Sequence, residues 1–143
     1  MTSLVGGFMV VMGLAIALTW ARDIRSSPEI DRSAGLVRAR DRRDGSLFLP
    51  HWIAEYATAI GLVVGGLGLI LDRGWGKDLS LIALGALTYT SVNSLGWTLA
   101  LPSRRPYAIP MLVGAVGGVV SVVVLLAALW LFGRLEGDFA EEL

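Results

Sequence analysis

Glu55 and His51 are the residues of this chain whose types and spacing could do chemistry. They lie one helical turn apart in the run HWIAEYATAIGLVVGGLGLIL, residues 51–71. A carboxylate inside an apolar run long enough to cross a bilayer is costly unless it meets a partner, water or a proton, so it marks a candidate site. Paired as shown, the two groups offer an acid or base, a proton relay or a cation ligand. At 100° per residue His51, Glu55 and Thr58 share one arc, and Ala54, Gly61, Gly65 and Gly68 lie on the arc beside it. Trp52, Ile53, Tyr56, Ile60, Val63, Leu67, Ile70 and Leu71 fill the opposite side, as lipid contact demands, so Glu55 is expected to face protein.

Several chemistries fail on composition. With no cysteine and one histidine, thiolate metal sites, thiol catalysis, disulfides and bis-histidine haem are excluded. His51 and Glu55 supply too few ligands for a transition metal, and no metal site is expected. The glycines at 65, 66 and 68 sit within an apolar segment with no strand before them, which favours packing over a phosphate loop. No serine stands in a recognisable nucleophile elbow, and the sequence names no cofactor.

The elements that position the pair are membrane helices. The chain has 143 residues, of which 55% are apolar and 17% charged, against about 25% charged in soluble domains. Its mean hydropathy is +0.67. Four apolar segments, roughly Leu4 to Ala21, His51 to Leu71, Leu79 to Leu101 and Tyr107 to Phe132, leave no room for a second domain. The fold class predicted is therefore all-α, a single integral membrane bundle of four antiparallel transmembrane helices over residues 1–143. The first segment has no basic residue before it and reads as a retained helix rather than a cleaved signal. Trp20 and Trp75 fall where interfacial aromatics belong.

The third segment is uncharged but polar. Tyr89, Asn93, Trp97, Thr90, Ser94 and Thr98 lie on one broad arc, with Leu84, Val92, Leu95 and Leu99 opposite, and that polar face is expected to avoid lipid. Serines and threonines commonly bond their own backbone, which leaves Asn93 and Tyr89 as the expected ligand groups or glue.

Residues 22–50 form an arginine-rich loop with seven arginines, including the membrane-surface candidates Arg38, Arg40, Arg42 and Arg43. Ser27, Pro28 and Glu29 resemble a helix start, predicting a helix over about 28–43 that stops at Gly45. DRGWGKD, residues 72–78, and PSRRPY, carrying Arg104 and Arg105, are tight turns, and residues 134–143 read as a solvated acidic tail. The first and third connections hold nine basic residues and the other side three, so the positive-inside tendency predicts both termini outside the cytoplasm.

This topology sets Glu55 roughly 6 Å below the cytoplasmic interface. The expected site is a cytoplasm-facing pocket of His51, Glu55, Tyr89, Asn93, Ser94 and Thr98, with Arg104 and Arg105 just above. Three readings stay open: a pocket that binds or conducts a proton, cation or small polar group; a structural subunit in which Glu55 fixes packing; and an enzyme acting on a lipid headgroup or quinone. The enzyme reading has no visible nucleophile. The partners expected are the lipid bilayer and, from glycine spacings on three helices, a second copy or a larger membrane complex. No nucleic acid is expected.

Overall fold

The computed structural model describes residues 2–33, 44–100, 105 and 107–141, and side-chain surroundings within 2–22, 52–96, 98–99, 105 and 107–131. Four helices follow one another: α1 (Thr2–Ser33), α2 (Asp44–Ile70), α3 (Gly74–Ala100) and α4 (Ala108–Glu141). No strand occurs among the described residues. Each helix contains a stretch long and apolar enough to cross a bilayer: Thr2–Arg22, Trp52–Ile70, Gly74–Gly96 and Ala108–Leu131. The protein is an all-helical, multi-pass membrane protein.

Glycines set how close the helices come. A Cβ on Gly6 would lie 2.6 Å from the carbonyl oxygen of Gly66, and one on Gly13 would lie 2.7 Å from that of Ala59. The partner number falls by seven as the first rises by seven, which is the register of antiparallel neighbours with a heptad-like repeat. The same descending register joins α2 to α3 through Gly65 on Ser80 and Gly61 on Ala83. It joins α3 to α4 through Ser91 on Gly114 and Thr88 on Gly118. Met9, Leu62, Leu84, Leu87 and Leu125 fill the interior, and a large part of the outer surface is exposed leucine, isoleucine and valine. α1 touches α4 only sparsely, with the Phe8 ring seated on Gly117, so the bundle closes along a thin seam.

The connections differ from the sequence expectation. α1 runs through Ser27 and Pro28 to Ser33, and α2 begins at Asp44, so the expected start at Ser27 and stop at Gly45 are both overridden. Extending a helix adds a bond per residue, whereas a separate helix would need its own nucleus, and an interior proline, which removes one bond and crowds the carbonyl four residues before it, can kink a helix without ending it. The rest of the expected 28–43 helix, with Arg38, Arg40, Arg42 and Arg43, lies outside the described residues. α4 likewise extends into the acidic tail as far as Glu141. Pro110 falls in the first turn of α4, where a missing N–H costs nothing.

The α2–α3 turn is shorter than expected because α3 starts at Gly74. The Arg73 N–H donates to the Gly68 carbonyl at 2.8 Å and the Asp72 N–H to the Leu69 carbonyl at 3.3 Å, a Schellman closure. Asp72 occupies its left-handed position, with φ 49°.

Candidate functional site

Glu55 is 3% exposed. It lies on the arc of α2 that also buries Thr58, Leu62 and Leu69, whose spacing of three, four and seven residues places all four on one inward face. The Ser94 Oγ donates to Glu55 Oε1 at 3.3 Å, joining α3 to α2 across 39 residues of sequence.

Nearby threonines are engaged locally. Thr58 donates to the Ala54 carbonyl at 2.8 Å, Thr98 to that of Leu95 at 2.9 Å and Thr90 to that of Leu87 at 3.3 Å. Self-bonding is the expected habit of these residues in membrane helices. Ser94, named in the expected pocket but ranked below Asn93 and Tyr89 because of this habit, departs from it and bonds Glu55.

A cavity of about 40 Å³ adjoins the carboxylate. α1 contributes Met12, Ile16, Thr19 and Trp20, α3 contributes Ser91, and Pro110 and Met111 close it from α4, so all four helices meet there. That volume suits water or a small cation. It falls far below the roughly 300–1,000 Å³ of small-molecule sites. Its lining from α1 and α4 was not legible in the sequence, because apolar residues on one helix carry no mark of which polar group they will face. Trp20, expected only as an interfacial anchor, is part of this wall.

Tyr89 is 74% exposed and Asn93 is also exposed, so both lie on the outside of the bundle and not with Glu55. The expected polar arc of α3 is too wide to enter one interior. Tyr89 and Asn93 fall roughly 120–160° from the middle of the buried arc at about 100° per residue. Leu84, expected opposite the polar face, is fully buried within it. Thr98 is buried with its hydroxyl already donated. Thus Ser94 meets Glu55, Thr98 lies one turn further along α3 on the same buried face, and Tyr89 and Asn93 lie outside. The side chains of His51 and Trp97, and Arg104 as a whole, lie outside the described residues; Arg105 is exposed.

Chemically, the arrangement is one carboxylate, the Ser94 and Ser91 hydroxyls and a water-sized void, in apolar surroundings. It can hold a proton or a small cation, and it can hold two helices in register. Compared with known proteins, the chain matches over residues 1–135 a family described as Domain of unknown function (DUF8058). No curated protein and no solved structure matches it.

Proposed function

The chain belongs to the DUF8058 family, and from that premise we propose that it is a small membrane protein whose Glu55 junction binds a proton or a single small cation in exchange with the cytoplasm. The observation that carries this reading is the cavity of about 40 Å³ beside a carboxylate that is 3% exposed. A carboxylate kept at that depth is expensive unless used, and the void admits a group of the right size. Trp20 lines the cavity with Glu55, so its fluorescence reports occupancy. Titrating the detergent-solubilised protein with acid or with alkali cations changes the emission; Trp20→Phe removes the change, and so does Glu55→Gln. A change that persists undiminished in Glu55→Gln contradicts the reading.

The orientation is proposed on charge. Nine basic residues, Arg104 and Arg105 among them, fall on the side of the first and third connections and three on the other, which supports both termini outside. The chain has no native cysteine, so a single cysteine at Ser46 gives a clean label. Protection from an impermeant reagent outside intact cells agrees with this orientation, and modification reverses it.

The structural reading is favoured by one observation, the Ser94 to Glu55 hydrogen bond, since a single polar contact between membrane helices is enough to fix register. It predicts a carboxylate that does not exchange with its surroundings. For partners, the exposed amide of Asn93 supports pairing with a second copy. An amide both donates and accepts, so two copies meeting there satisfy one another in lipid.

A further inference from the structure

At the end of the bundle remote from Glu55, the thin α1–α4 seam opens into a cleft of about 500 Å³. Leu69 and Ile70 of α2 with Leu125 and Leu129 of α4 form its apolar wall, and Asp72 and Lys77 line its polar part. The volume falls within the range of small-ligand sites. Thr2 and Ser3, which open α1, lie at the same mouth.

The charges of this cleft are arranged in opposition. Lys77 stands in the first turns of α3, and the start of α1 adds the positive end of a helix dipole. Asp72 adds a carboxylate between the negative end of α2 and the positive start of α3, so the two helix dipoles offset one another there. It also takes the left-handed backbone position that glycine occupies at lowest cost. Its side chain thus lines the cleft opposite Lys77 from a turn position that a glycine would fill at lower cost.

We propose that this cleft binds a zwitterionic glycerophospholipid, with phosphate toward Lys77, the cationic amine toward Asp72, and an acyl chain along Leu125 and Leu129 where α1 and α4 separate. A purely anionic lipid would satisfy Lys77 and be repelled by Asp72. A soluble zwitterion would leave the apolar wall unused.

The test reconstitutes the full chain in nanodiscs of equal parts phosphatidylethanolamine and phosphatidylglycerol, extracts it mildly, and identifies retained lipid by native mass spectrometry. The wild type keeps one phosphatidylethanolamine in preference to phosphatidylglycerol. Lys77→Gln lowers retention about tenfold, as expected for loss of one charge-assisted contact. Asp72→Asn, in which asparagine tolerates the left-handed backbone, keeps a lipid but loses the preference between headgroups. Leu129→Trp fills the apolar part and expels the lipid with both charges intact, which covers the case of a charge variant that does not fold. Equal retention of both lipids by the wild type, or retention unchanged in Lys77→Gln and Leu129→Trp, overturns the proposal.

Discussion

Ser94 donates its hydroxyl to the carboxylate of Glu55 at 3.3 Å, while Ser80, about four turns earlier on the same helix, is fully buried with no hydrogen-bond partner for its Oγ among the described residues. The two serines therefore respond to alanine with opposite signs. Ser94→Ala costs about 0.6 kcal/mol and at most about 1.7, the range for hydrogen bonds between membrane helices. Ser80→Ala removes an unsatisfied hydroxyl and is neutral or stabilising by up to about 1 kcal/mol. Reversible unfolding in bicelles measures both, and a larger loss at Ser80 than at Ser94 is incompatible with this assignment.

Gly6 and Gly66 predict the second comparison. A methyl group on either would lie 2.6 Å from the other's carbonyl oxygen, with backbone on the far side that cannot yield cheaply. Gly6→Ala and Gly66→Ala should each destabilise by about 1–3 kcal/mol. Gly7 and Gly85 have nothing within 4 Å of an added Cβ. Alanine there should be neutral or stabilising by up to about 1 kcal/mol, because helical glycine is disfavoured. Equal effects at Gly6 and Gly7 would contradict the α1–α2 crossing.

Much of this was legible beforehand, and the reasons differ by residue. The four spans follow from hydropathy, and the inward Glu55 follows from its sharing an arc with Thr58 and Leu62. The α3 partner was legible as a polar face but not as a residue. Tyr89 and Asn93 carry the stronger polar signal in sequence, and only packing against α2 decides that Ser94 enters instead. The helix extensions past Pro28 and Gly45 were hidden because local start and stop signals are weak beside the propagation of a helix already anchored in the membrane. The α1–α4 cleft has no sequence signature, since its apolar wall reads as ordinary lipid-facing surface.

Asn93 tests the outer face of α3. Because the chain has no native cysteine, Asn93→Cys carries the sole thiol. Oxidation in a bilayer should crosslink two copies through it, while a cysteine at Leu99, another exposed position of the same helix, crosslinks less. Asn93→Leu should leave the stability of one chain within about 0.5 kcal/mol, as for other surface changes, and weaken self-association. Only monomer in both cysteine variants excludes a second copy on this face.

The central claim is that the Glu55 carboxyl exchanges a proton or a small cation through its cavity. Infrared difference spectroscopy of the protein in lipid, recorded across a pH step or on cation exchange, reads that carboxyl directly. The account predicts a carbonyl or carboxylate band that changes with the step, shifts in heavy water and is absent in Glu55→Gln. A spectrum of the wild type that is unaffected by pH and by cations, and identical to that of Glu55→Gln in the carboxyl region, would contradict it and leave Glu55 as a packing residue alone.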